Sequence, residues 1–88
     1  MRVVLTGRDF QILLFLWRWK VATTATLSAR FFAGRSLATA YTRLWFLKKG
    51  GFIHFQSDSG GSIFTWTLTK FGFSQIETKL PELKEAGF

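Results

Sequence analysis

GRSLATAYTRLWFLKKGGFIHF, residues 34–55, changes its periodicity partway along. Its first part repeats apolar residues at offsets of three and four, which is the spacing of one helical face. These residues are Leu37, Ala40, Tyr41, Leu44 and Leu47. Gly50 and Gly51 then predict the end of the helix, since glycine is the usual residue at a left-handed helix cap. Residues 52–56 alternate in polarity, which predicts a strand directly after the turn.

Upstream of this stretch, the sequence predicts a long first helix and a short strand. Thr6 is the predicted N-cap of the helix, and Asp9, three residues later, can complete a capping box. The helix then covers residues 7–19 and is apolar nearly all round, so we expect it to be packed on several sides. The segment of residues 21–23 is short and rich in β-branched side chains, which favours a brief strand.

A second, shorter helix is predicted between this strand and the opening stretch. Thr24 is its expected N-cap, and the helix ends near Phe32. Gly34 supplies the permissive backbone that a tight turn between two helices needs. The third helix, which we place at residues 35–49, therefore follows the second as the partner of a helix-turn-helix pair.

The C-terminal half has the pattern of a hairpin followed by a last helix. Residues 57–61, SDSGG, have the composition of a hairpin loop. Residues 62–68 alternate in polarity and form the predicted return strand. Thr69 is the predicted N-cap of a final helix over residues 70–80.

Composition sets bounds on size and on partners. The chain has 88 residues, enough for one domain, which we place at residues 1–80 with residues 81–88 as a C-terminal tail or linker. Aromatic residues make up 18% of the chain, more than one thin core readily hides, so we expect some of them to meet a partner. The net charge of +7 predicts a polyanionic partner, nucleic acid first and an anionic membrane second.

Several classes of function find no support in the sequence. Cysteine is absent and His54 is the single histidine, so we predict no disulfide, no metal site and no cofactor. The acidic residues show no pairing with His54 or with a nucleophile, and no phosphate-binding loop motif occurs, so we expect no enzyme. No run of ~18 apolar residues exists, and therefore no spanning helix is predicted.

The order of predicted elements and four segments resemble the winged helix-turn-helix superfamily. One of the segments is AGRS at residues 33–36. The other three are LTGRDFQILLFL at residues 5–16, RLWFLKKGGFI at 43–53 and SDSGGSIFTWTLTKFG at 57–72. They are similar to those of MarR-like and replication-relaxation-type bacterial winged helices. The resemblance implies an α+β fold with a three-helix core, a β-hairpin wing and a C-terminal helix.

In this superfamily the second helix of the pair enters the major groove of DNA, so the resemblance implies this role for helix 35–49. Small and hydroxyl-bearing side chains let such a helix approach base edges, and cations at its ends reach phosphates. The expected DNA contacts are Arg35, Ser36, Ala38, Thr39, Thr42, Arg43, Lys48, Lys49 and, in the wing, Ser59 and Gly60. Arg30 and Lys70 are further candidates for phosphate contacts.

The implied function is sequence-specific binding of double-stranded DNA by a prokaryotic, phage or plasmid regulator of transcription or replication, acting in the cytoplasm. MarR-like proteins build dimers on their first and last helices, so the resemblance also implies a homodimer. Its expected interface residues are Phe10, Leu14, Phe15, Trp19, Phe73 and Ile76.

Two alternatives remain open at the level of sequence. A winged helix can serve as a protein–protein interaction or oligomerisation module, which is favoured here by the aromatic surplus and by a wing that carries Asp58 and no cation. Trp45 and Phe46 occupy positions on the third helix that polar residues could have filled, so either could pack on a partner. The second alternative is an interfacial membrane peptide, suggested by residues 10–19.

Overall fold

The computed structural model describes residues 4–57, 64–78 and Pro81. Four helices and three strands follow one another along these residues. They are α1 Gly7–Trp19, β1 Val21–Thr23, α2 Thr24–Phe31, α3 Leu37–Lys49, β2 Ile53–Ser57, β3 Phe64–Leu68 and α4 Lys70–Glu77. The predicted element order and the predicted α+β class are therefore confirmed. The tip of the hairpin, which is the predicted wing, lies outside the described residues.

The strands form an antiparallel sheet in the order β1-β3-β2 over the described residues. Trp66, in the middle of the central strand, is paired with Ala22 on one side and with Phe55 on the other. Its side chain is fully buried, and its indole nitrogen Nε1 donates a 2.8 Å hydrogen bond to Oγ1 of Thr24. Trp66 therefore ties the sheet to the start of α2.

Side-chain caps fix the ends of the helices, as the sequence predicts for α1 and α4. The amide of Thr6 donates to Oδ2 of Asp9 at 2.8 Å, and the amide of Asp9 donates to Oγ1 of Thr6 at 3.3 Å. This reciprocal pair is the predicted capping box. Thr69 caps α4, and its Oγ1 accepts a 2.9 Å hydrogen bond from the amide of Gly72.

Two predicted helix starts need correction. The N-cap of α2 is Thr23, whose Oγ1 accepts from the amide of Thr26 at 3.1 Å, and Thr24 is instead the first helical residue. The third helix begins at Leu37 after Ser36 as its N-cap, two residues later than expected. Arg35 therefore belongs to the turn that precedes α3.

The core lies between the helices and the inner face of the sheet. Its fully buried members include Ile12, Leu13, Leu16, Leu27, Leu44, Leu47 and Ile76. Leu37 was expected in this core, but 55% of its surface is exposed. It is the first residue of α3, one turn ahead of Ala40, and so it lies beyond the part of the helix that the core covers.

Much of the aromatic surplus is packed within the chain, where α3 meets the β2–β3 hairpin. Trp45 lies with its ring centroid 5.4 Å from that of Phe55 and 6.1 Å from that of Trp66. Tyr41 lies 6.2 Å from both Phe64 and Trp66. Trp45, considered above for a partner surface, is partly buried and braces the helix against the hairpin.

The turn after α3 depends on a glycine. Gly50 ends the helix in the right-handed helical conformation. Gly51 has a φ of +85°, a backbone conformation that residues other than glycine rarely adopt. The carbonyl of Gly51 then accepts a 2.6 Å hydrogen bond from Oγ1 of Thr69. The double glycine thus fixes the angle at which the chain leaves α3 and joins it to α4.

Candidate nucleic-acid interface

The outer face of α3 is exposed and lined by small or hydroxyl-bearing side chains. Ser36 accepts a 3.3 Å hydrogen bond from the amide of Thr39 and lies 3.1 Å from that residue's hydroxyl. Thr42 donates from Oγ1 to the carbonyl of Ala38 at 2.9 Å. Ser36, Ala38, Thr39 and Thr42 are all exposed, so these contacts hold the hydroxyl groups on the surface of the helix. Such a face can approach base edges closely and contact the methyl group of thymine.

Cations stand at both ends of this face. Arg35, in the turn before α3, and Lys49, in its last turn, are both exposed. Lys48 is half-buried, and its Nζ lies 4.9 Å from the ring centroid of Trp45. Two further cations, Arg30 and Lys70, are exposed on neighbouring helices.

Few acidic groups oppose these cations. In residues 4–57 and 64–78 the acidic residues are Asp9 and Glu77, and Asp9 is fully buried. Glu77 is therefore the exposed acid within these ranges, and it lies at the far end of α4. The described surface carries a strongly positive field, which attracts polyanions.

Arg43 has a partner that the sequence did not reveal. Its Nε donates a 3.0 Å hydrogen bond to Oδ1 of Asp9, and its Nη2 forms an ion pair with Oδ2 of the same carboxylate. The same Nη2 donates to the carbonyl oxygen of Val4 at 3.2 Å. Arg43 was expected at the DNA, but its guanidinium is directed into the chain and joins α3 to the start of α1.

The environment of Asp9 explains why this pair forms. Burial raises the pKa of the Asp9 carboxyl, but the hydrogen bonds from Arg43 and from the Thr6 amide outweigh burial and hold the pKa below its ordinary value. The carboxylate is therefore kept ionised inside the protein by donors from two separate segments.

Asp9 and Arg43 are 34 positions apart, so no local pattern in the sequence predicts their contact. The available signal was an acid in a helix that is otherwise apolar nearly all round. Such an acid needs a cation or several donors if it is buried. The sequence offered no means of choosing Arg43 from the other cations.

The residues expected at a dimer interface differ in how much of their surface is exposed. Ile76 is fully buried and Leu14 is 9% exposed, so neither has appreciable surface for a partner. Phe10 and Phe73 are partly buried against the core, whereas Trp19 is 58% exposed beside a partly buried Phe15. At about 100° per residue, Phe15 and Trp19 lie on the opposite side of α1 from Phe10 and Leu14.

Two of the expected DNA contacts, Ser59 and Gly60, lie outside the described residues. A membrane-spanning helix is not found among residues 4–57, 64–78 and 81, where no helix combines the necessary length and apolarity. The same part of the chain contains no group of three or more acidic or histidine side chains arranged to hold a metal ion.

Comparison with known proteins gives matches among solved structures. No protein-family model matches the chain, and no curated protein sequence does. A mutant MarR from E. coli complexed with operator DNA has a TM-score of 0.71 at 17% identity, over 84% of this chain and 52% of that one. The adhesin competence repressor AdcR from Streptococcus pyogenes has a TM-score of 0.76 at 18% identity, over 93% and 60% of the two chains.

A third similar structure is a mutant of Lactococcus lactis ZitR in complex with DNA. It has a TM-score of 0.67 at 22% identity, over 97% of this chain and 62% of that one. ZitR is described as a zinc-responsive member of the MarR family. The chain thus spans between half and two thirds of the length of these proteins. At this level of identity the likeness establishes the fold, and the fold of this chain is the winged helix-turn-helix of MarR-family proteins.

Proposed function

We propose that the chain binds double-stranded DNA, with α3 in the major groove, as a prokaryotic, phage or plasmid regulator of transcription or replication. The observation that carries the proposal is the outer face of α3, where Ala38, Thr39 and Thr42 are exposed between cations at either end. Solved structures with the same fold, MarR and ZitR, are complexes with DNA. The proposed activity is binding in the cytoplasm, without catalysis.

The proposal gives the side chains of α3 different roles. Ala38, Thr39 and Thr42 meet base edges, because they are small and lie in the first two turns of the helix. Arg35 and Lys49 contact phosphates at the two ends of the face. Arg43, held by Asp9, positions α3 against α1.

Salt dependence tests the proposal. If four or five cations among Arg30, Arg35, Lys48, Lys49 and Lys70 neutralise phosphates, log affinity falls against log salt with a slope of roughly −4. Fluorescence anisotropy of a labelled random-sequence duplex measures this slope at several salt concentrations. Binding-site selection from random DNA then tests sequence specificity. A flat salt dependence, or no duplex binding with retained binding to a protein partner, would contradict the proposal.

We propose a homodimer as the assembled form, with Trp19 at its interface. Trp19 carries the largest exposed surface among the candidate interface residues, and its ring is tilted against that of Phe15 with 6.3 Å between the centroids. Analytical ultracentrifugation of the wild type and of Trp19→Ser tests this. A dimer that the substitution dissociates supports the proposal, whereas a wild-type monomer at high micromolar concentration contradicts it.

A further inference from the structure

One flank of α3 carries three side chains with hydrogen-bond donors in a single stripe. Tyr41, Trp45 and Lys48 follow one another at offsets of four and three, so they lie one above the other on the helix. The rings of Tyr41 and Trp45 are edge-to-face, with centroids 5.8 Å apart. The Lys48 ammonium lies over the Trp45 ring. The stripe spans about 10 Å along the axis at 1.5 Å per residue.

The hairpin holds these aromatic rings in place. Phe55 and Trp66 contact Trp45, and Phe64 contacts Tyr41, through the ring packing described above. Both Tyr41 and Trp45 are partly buried, with their apolar faces against the sheet. Their polar atoms are therefore held in fixed positions at the surface with little rotamer freedom left to lose.

Within the described part of the chain, neither Oη of Tyr41 nor Nε1 of Trp45 has a hydrogen-bond partner. No partnerless side-chain nitrogen or oxygen in these residues is buried, so both atoms reach solvent. Trp66 provides the contrast, because its buried Nε1 is satisfied by Thr24. Tyr41 and Trp45 thus present two donors that no intramolecular contact uses.

We propose that Tyr41 Oη and Trp45 Nε1 donate hydrogen bonds to the phosphate backbone of a bound duplex, with Lys48 Nζ supplying charge beside them. This inference rests on the proposed function. It adds a phosphate site made of neutral donors on the hairpin flank of α3, next to the base-facing residues.

The direction of the stripe fits a backbone contact better than a base contact. At about 100° per residue, Trp45 and Tyr41 point roughly 60° and 100° away from Thr42, toward the hairpin. The major groove is about 12 Å wide and just admits a helix. The flanks of a helix seated in the groove therefore meet the phosphate walls, where tyrosine hydroxyls and other neutral donors commonly bind.

Conservative substitutions separate donor loss from charge loss. Tyr41→Phe and Trp45→Phe keep an aromatic ring in the cluster and remove one donor each. Each is expected to weaken duplex binding about 10- to 150-fold, as for one hydrogen bond to a charged acceptor, without changing the salt slope. Lys48→Met is expected to reduce the magnitude of that slope by about 0.9.

Trp17→Phe is a matched control for Trp45→Phe. Trp17 is also partly buried and also has a lysine over its ring, with Lys20 Nζ 5.7 Å from the centroid, but it lies on α1. Its substitution is expected to leave duplex affinity within twofold of wild type. Thermal melting of each variant establishes that the fold is retained.

Ethylation interference gives a second readout that does not depend on affinity alone. Ethylating a phosphate bound by Tyr41 is expected to weaken wild-type binding and to have little further effect on Tyr41→Phe. Unchanged affinity and an unchanged interference pattern in Tyr41→Phe would overturn this inference while the proposed function stands. Absence of duplex binding by the wild type would overturn both.

Discussion

Arg43 on α3 donates two hydrogen bonds to the buried carboxylate of Asp9 on α1. The same carboxylate closes the N-terminal capping box of α1 by accepting from the amide of Thr6. One acidic group therefore fixes the start of the first helix and the position of the proposed DNA-binding helix together. The pair sets how α3 is presented at the surface.

Arg43→Ala is expected to lower the free energy of unfolding by about 2 to 4 kcal/mol, because it leaves a buried carboxylate without its cation. Urea denaturation measures the loss. Replacing both partners, with Asp9→Asn and Arg43→Leu, is expected to recover part of it, since the uncompensated charge is gone. A stable Arg43→Ala protein that has lost duplex affinity would instead make Arg43 a direct DNA contact.

Acid is expected to weaken the fold through the same pair. The pKa of Asp9 is lower in the folded chain than in the unfolded one, where the pKa of aspartate is about 3.9. Its contribution to stability is therefore complete above that value and is lost as the pH falls through the lower, folded pKa. Thermal melting from pH 7 to pH 2 measures this, and Asp9→Asn is expected to show a shallower acid dependence. Equal slopes for the two proteins would contradict the account.

Gly72→Ala is expected to destabilise the protein by about 1 to 3 kcal/mol through overpacking. An added Cβ would overlap the carbonyl oxygen of Phe52 and lie 2.8 Å from Cδ1 of Leu68. Gly7→Ala is the control, since nothing lies within 4 Å of a Cβ at that helical position. Chemical denaturation is expected to show Gly7→Ala as stable as the wild type or more so. Similar losses in both variants would contradict the packing described for α4.

Leu37 and Leu44 are expected to differ sharply although the sequence pattern treats them alike. Leu44→Ala removes a fully buried side chain and is expected to cost about 2 to 5 kcal/mol. Leu37→Ala removes an exposed one and is expected to change the free energy of unfolding by less than about 0.5 kcal/mol. Equal losses of unfolding free energy for the two variants in urea denaturation would contradict the exposed position of Leu37.

The sequence was sufficient to predict the helices, the strands and the fold, because local signals specify them. Thr6 with Asp9, the double glycine and the alternating strands act over a few residues each. The sequence was insufficient where distant segments meet. Apolar spacing on α3 could not show that Leu37 lies beyond the core, and a list of cations could not show which one Asp9 recruits. Nor could composition show that Trp45 braces the hairpin.

The central claim is that the outer face of α3 meets a duplex, and adding a negative charge to that face tests it most directly. Thr42→Glu adds a carboxylate to that face, and Gln11→Glu adds the same charge at an exposed position on α1. Duplex affinity at moderate salt is expected to fall at least ~30-fold for Thr42→Glu and less than about threefold for Gln11→Glu, where the added charge is distant and screened. Equal losses in the two folded variants would contradict the account.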